Sequence, residues 1–251
     1  MSEEPRQFVA FSGGVDSTAL ALLMPEATPI FTDTGWEFDH LYEHIEKFER
    51  VTGREVVRIK WERFSGGIPE YIERMKFMPN HGARWCTSKF KILPMNRYLK
   101  KNRPAILNIA LRADEEARTG NLTEMKELTI AYPLQAMGLT RPDVVAVCIE
   151  HGLIQRYPPY AARGGCKGCF YKRKSELIAM QVLVPEVLEE LQELEEGVQD
   201  ERGKYFHMFP NVGKSIATIR AQKALFDMEA VYAAAADVSD YGENCGLFCN
   251  R

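Results

Sequence analysis

Residues 7–24, QFVAFSGGVDSTALALLM, constrain the chain most. A short apolar run, 7–11, reads as a buried strand. Ser12-Gly13-Gly14 follows as a turn, and a helical run then extends to the stop at Pro25. The two glycines let the backbone turn tightly and approach a ligand. The helix start offers free N–H groups and the positive end of its dipole to an anion. Ser12, Ser17 and Thr18 add hydroxyl donors. Asp16 is out of place in an anion cradle. It reads as a residue that caps the turn or helps to hold a divalent cation on phosphates, placed on a turn and outside the core. The plainer alternative is a capped strand–helix turn with Asp16 or Ser17 as N-cap.

The pattern then repeats. Residues 29–32 read as a second strand ending at Asp33-Thr34-Gly35. Residues 38–52 are helical, with Leu41, Ile45 and Phe48 on one stripe and Gly53 as the stop. Residues 55–61 alternate like a strand, and 105–111 (AILNIAL) are the next strand. Strands and helices in this order imply an α/β protein, a parallel twisted sheet with helices on both faces. At 251 residues the chain has room for one large domain plus an appendage. The expected division is a nucleotide-binding α/β domain over 1–160 and a small C-terminal helical, cysteine-containing region over 161–251. Residues 143–152 look helical. Residues 175–197 read as one helix, or as two broken at Pro185. Leu188, Leu191 and Leu194 face its core, and the glutamates form a solvated face. Residues 215–236 read as a further helix.

Composition removes several classes. With 45% hydrophobic and 27% charged residues the chain is ordinary globular material. No run approaches the roughly 18 apolar residues of a membrane span. The polar, acidic start does not read as a secretory signal. Six cysteines without such a signal point to a reducing compartment, the cytoplasm, and to metal or redox chemistry. A net charge of −3 gives no global drive toward nucleic acid, but leaves room for a local basic groove. Lys172-Arg173-Lys174 is one such run.

The cysteines fall into pairs. Cys166 and Cys169 sit in the glycine-rich knuckle GGCKGC, and Cys245 and Cys249 form a second pair near the C-terminus. Together they could close one tetrahedral four-cysteine site, for Zn²⁺ or for an iron–sulfur cluster, or remain free thiols. Cys148, in VVAVCIE, reads as a small buried hydrophobe. Cys86 is either a pocket residue or a ligand in place of Cys245 or Cys249. His40 and His44 share metal-ligand spacing on one helix, although helix-surface histidines are the commoner reading.

SGGVDST resembles the PP-loop of the ATP pyrophosphatase superfamily. It is not a Walker loop; Gly213-Lys214-Ser215 ends such a pattern, but Met208 stands where its first glycine belongs. Four further segments resemble the phosphoadenosine phosphosulfate (PAPS) reductase-like branch. These are FTDTGWEF at 31–38, Arg84-Trp85-Cys86-Thr87 with Lys89, Lys91 and Pro94, the Arg112 to Arg118 segment, and Tyr132-Pro133-Leu134 with Asp143-Val144. Leu111 and Ala117 depart from that branch, where glycine and serine are usual.

The resemblance implies an adenine nucleotide alpha hydrolase-like fold that binds ATP with Mg²⁺ and cleaves it to AMP and pyrophosphate. Substrate activation would serve sulfur transfer or nucleic-acid modification. Carried onto this sequence, the nucleotide-binding residues are Ser12, Gly13, Gly14, Asp16, Ser17, Thr18, Asp33 and Arg84. The catalytic ones are Asp16, Lys89, Arg112 and Arg118. Arg84, Lys89, Arg112 and Arg118 are expected near strand ends, where open α/β sheets bind ligands. The resemblance favours a [4Fe–4S] cluster on the cysteines, with Zn²⁺ as the alternative. The implied partners are a nucleotide, a nucleic-acid substrate, and a sulfur donor or reductant protein, with no membrane. One rival is a PAPS or adenosine phosphosulfate reductase using Cys245. The tail ENCGLF resembles a reductase E-C-G-L-H tail, but Asn244 is inserted and Phe248 replaces the histidine. The other rival is a non-catalytic nucleotide-binding module with structural zinc.

Overall fold

The computed structural model describes residues 4–115, 126–162, 165–198, 207–209 and 212–221. Arg118, Cys245, Cys249 and most of the helix expected at 215–236 lie outside these residues. Five strands form one parallel sheet in the order β3-β2-β1-β4-β5: β1 (Arg6–Ala10), β2 (Thr28–Thr32), β3 (Val57–Ile59), β4 (Ala105–Asn108) and β5 (Leu128–Ala131). Helices α1 (Val15–Leu23) and α2 (Asp39–Thr52) make the first two crossovers. Between β3 and β4 lie α3 (Gly67–Met75), a single turn α4 (Trp85–Thr87), a wider π-type segment (Ser88–Ile92) and α5 (Leu93–Lys101). After β5 come α6 (Pro133–Ala136), α7 (Arg141–Glu150), α8 (Lys174–Leu183), α9 (Pro185–Gly197) and α10 (Ile216–Ala221).

The two-residue period of a strand divides the core. On β1, Val9 and the following Phe11 point to one face, where α1, α2 and α7 supply Leu20, Ile45, Phe48, Val144 and Cys148. Phe8 and Ala10 point to the other face, onto Met95 and Leu99 of α5. Each of these buried side chains contributes about 1.5–3 kcal/mol if it is large and apolar. Both faces of the sheet are therefore covered, as the sequence pattern requires.

A second core lies beyond the C-terminal ends of β2 and β3. Trp36, Phe38, Trp61, Phe64, Trp85 and Phe90 pack there with Leu177, Met180, Leu188, Leu191, Phe209 and Ile216. The third strand is shorter than its alternation suggests, because Trp61 leaves the sheet to pack against Phe64 and, edge to face, Phe90, at centroid distances of 4.8 and 5.1 Å. Pro185 does divide the acidic segment, occupying the first position of α9, where a proline lacks no needed N–H. Leu188, Leu191 and Leu194 are buried as expected. Glu195 is not on a solvated face. It is 2% exposed and accepts the N–H groups of Met208 and Ile216, pinning the returning chain to α9. Among the described residues no helix is long and apolar enough to cross a membrane.

His44 is not a surface histidine either. Its Nε2 lies 3.1 Å from Thr18 Oγ1, tying α2 to α1 in the interior. Burial, then repulsion from Lys47 and His40, pushes its imidazole from 6.5 down to about 4. His40, stacked on Phe38, is pushed to about 4 by burial and then Lys172. A lowered value means the fold holds the neutral ring, while the unfolded chain takes the proton first. The stabilisation is complete above pH 6.5 and is lost as pH falls toward about 4. Each ring can account for up to about 3 kcal/mol of that loss. Denaturant unfolding between pH 7 and pH 4 should show the decline. His44→Gln, which keeps a partner for Thr18 and cannot titrate, should remove roughly half of the slope.

Candidate active site

The loop between β1 and α1 lies at the C-terminal edge of the sheet. Strand order reverses there, with β2 on one side of β1 and β4 on the other. This switch point is where open α/β sheets bind ligands. Gly13 sits at φ 73°, and a side chain there would strike Leu41, so the turn requires glycine. Gly14, in extended conformation, is the N-cap of α1, with no side-chain cap bond. Neither Asp16 nor Ser17 caps the helix, because it begins two to three residues earlier than a cap at either would allow. Ser17 instead fastens the loop: its hydroxyl donates to Gly14 O (3.0 Å) and receives the Ser12 amide (3.1 Å). With its one proton spent on Gly14, Ser17 must accept from the Ser12 hydroxyl at 3.0 Å. Thr18 is fully buried and belongs to the α1–α2 contact with His44.

Asp16 is in the core, not outside it: it is 5% exposed in the first turn of α1. Arg112 Nη1 donates to its Oδ2 at 2.7 Å, and Arg141 Nη1 to its Oδ1 at 3.0 Å. Burial raises the pKa of the carboxyl, and the two guanidiniums oppose that rise. Arg112 also binds Asp114 at 2.9 Å and lies 3.6 Å from Glu115. Both Asp16 oxygens thus accept from guanidinium groups, so this arrangement does not present them to a divalent cation. Asp33, at the end of β2, is similarly committed. Its Oδ1 accepts from Gly35 N and Tyr42 Oη, both at 2.8 Å, and its Oδ2 pairs with Lys60 at 2.8 Å. Arg141 was not legible as a site residue. It opens a helix 125 residues after Asp16, and no local motif announces the meeting.

Arg84 and Lys89 are not at strand ends. Arg84 precedes the single turn α4, and Lys89 lies in the π-type segment. Each cation faces aromatic rings. Lys89 Nζ is 5.4 Å from the Tyr71 centroid and 5.7 Å from that of Trp61, and Arg84 is 5.8 Å from Tyr171. Arg84 Nε is buried without a hydrogen-bond partner.

Beside them, Cys86, Cys166 and Cys169 line one pocket with Trp36, Arg84 and Lys91. The knuckle reaches this place because Gly168 rests against Trp36; a Cβ there would lie 2.0 Å from the ring. Lys167 N also donates to Trp36 O at 2.9 Å. The structure thus brings Cys86 to the knuckle pair. Among the described residues, no three His, Cys, Asp or Glu side chains are grouped to hold a single metal ion. Cys148 is fully buried as expected, donating to Val15 O at 3.4 Å, and burial, then Asp16, pushes its thiol up to about 12. Lys172 does not join a basic surface run. It is 2% exposed, donates to Tyr160 O at 3.0 Å and lies 4.9 Å from the Phe38 centroid.

Residues 6–129 match the family model of the phosphoadenosine phosphosulfate reductase domain. Over these residues the chain is similar to that family. Its members are enzymes of sulfur metabolism that bind nucleotides. The chain is also similar to two uncharacterized proteins of Methanocaldococcus jannaschii. One is 32% identical over 99 residues, covering 38% of this chain and 20% of the relative. The other is 35% identical over 96 residues, covering 37% and 22%. The chain therefore spans about a fifth of the length of the curated relatives it matches. Among solved structures it is similar to PAPS reductase from Candida auris in its phosphate complex. That likeness has a TM-score of 0.46 and 16% identity, over 61% of this chain and 74% of the other.

The burial of Asp16 has a measurable consequence. Asp16→Ala would take one buried carboxylate partner from each of Arg112 and Arg141, and should cost about 3 kcal/mol in chemical denaturation. Asp16→Asn, which keeps an oxygen for one guanidinium, should cost less.

Proposed function

We propose that the chain binds ATP in the cradle before α1 and cleaves it between the α and β phosphates. An acceptor oxygen attacks the α phosphorus, and pyrophosphate leaves with the electron pair of the broken bond. The adenylylated acceptor is thereby activated for sulfur transfer or nucleic-acid modification. The observation that carries this reading is the glycine cradle, with Gly13 at φ 73°, opening beside Arg112 at the sheet's switch point. The N-terminal amides of α1 suit the phosphate oxygens. The Arg112 guanidinium suits the charge that develops on the departing pyrophosphate. Catalysis here is positioning and charge stabilisation. Mg²⁺, when bound, would neutralise phosphate charge; with Asp16 and Asp33 both committed, phosphate oxygens and water remain to hold it.

Cys86, Cys166 and Cys169, which line one pocket, are the described residues that would hold an iron–sulfur cluster, or Zn²⁺ as the alternative. Arg84 and Lys91 would offset the negative charge of such a group. Bound there, it would supply sulfur or redox chemistry. Trp36 packs that pocket against the loop after β2, at the same sheet edge as the cradle. The family match also supports a second reading, reduction of PAPS or adenosine phosphosulfate; Cys245, outside the matched residues, would be its nucleophile.

Product analysis separates the two. Protein purified without oxygen, given α-labelled ATP with water as the surrogate acceptor, should release AMP and pyrophosphate. Release of ADP and phosphate would contradict the proposal. So would sulfite formation from PAPS with a thiol reductant and no ATP turnover. Arg112→Lys keeps the charge but loses the fork, and should weaken ATP binding roughly tenfold.

A further inference from the structure

We infer that Arg141 is a second phosphate-binding cation of the cradle, held ready by Asp16. This rests on the nucleotide reading above and extends it to a residue beyond the matched family domain, which ends at residue 129.

The geometry is a clamp. Arg112 enters from the end of β4 and Arg141 from the first residue of α7, and they meet on the second residue of α1, each on one oxygen of Asp16. A carboxylate gripped by two guanidiniums has the form of one edge of a phosphate gripped by two arginines. Asp16 thus sets the spacing of the pair beside the loop that would receive the polyphosphate. The Arg141 side chain is 18% exposed against 9% for Arg112, so Arg141 is the member of the pair nearer to solvent.

The backbone beneath Arg141 is fixed by contacts that do not involve its guanidinium. Thr140 and Asp143 form a capping box: the Thr140 amide and hydroxyl donate to Asp143 at 2.8 and 2.6 Å. Val144 and Cys148 bury α7 against α1, and Cys148 Sγ donates to Val15 O in the first turn of α1. The Asp114 carboxylate connects the two arginines by a second route. It binds the Arg112 side chain and also takes a hydrogen bond from the Arg141 backbone. A guanidinium on so constrained a base loses little freedom when a phosphate arrives.

Calorimetric titration of the full chain with ATP and with inorganic pyrophosphate tests this. Arg141→Met should weaken both ligands at least tenfold, and Arg141→Lys should recover part of the loss. Equal affinities in wild type and Arg141→Met would overturn the inference and leave the nucleotide reading standing. A loss confined to ATP would also overturn it, because the guanidinium would then serve the base or ribose. Wild-type protein that binds neither ligand removes both claims. Should Arg141→Met fail to fold, Arg141→Lys decides the matter. A several-fold loss of pyrophosphate affinity at the wild-type melting temperature supports the clamp, and unchanged affinity overturns it.

Discussion

The buried Asp16 carboxylate, shared between Arg112 and Arg141, is the interaction on which the site depends. It joins three elements that are remote in sequence: the first turn of α1, the chain leaving β4, and the start of α7. Burying these charges costs hydration, which a hydrophobic substitute would not lose. A pair of this kind is therefore better understood as a device of geometry than of stability. Here it fixes where two guanidiniums stand relative to the glycine loop. Asp33 repeats the arrangement one strand over, locking Lys60, Tyr42 and the Gly35 amide around the end of β2. The carboxylates at this edge hold cations and backbone in place.

The second core gives the edge its other boundary. Trp36 follows β2, so its position is inherited from the sheet, and the knuckle of Cys166 and Cys169 is seated on its ring and carbonyl. Trp85 and Phe90 flank Cys86 in sequence and are buried in the same aromatic cluster. Apolar packing thus delivers three thiols to one pocket from segments about 80 residues apart. Arg84 lies over the Tyr171 ring and lines the thiol pocket with Lys91, so the sequence motif that contains them contributes cations to the thiol side of the edge.

Much of this was legible because it is local. The strand–glycine–helix unit, the Leu41/Ile45/Phe48 stripe and the proline break at Pro185 each follow from a few neighbouring residues, and the structure has them. What was not legible is long-range. Nothing near Arg141 signals that it will meet Asp16. Nothing in the run Lys172-Arg173-Lys174 shows that Lys172 turns inward to Tyr160 and Phe38. Helices α3 and α4 were missed because their burial depends on helices more than 80 residues later. Asp16 was misplaced for the same reason: a polar residue beside a turn looks exposed until its counterions are found.

This edge is proposed to receive a polyphosphate. Competition binding of ATP against PAPS at one fixed ionic strength tests it most directly. ATP is expected to bind more tightly than PAPS, and inorganic pyrophosphate to displace it. Tighter binding of PAPS, with no displacement by pyrophosphate, would contradict the account.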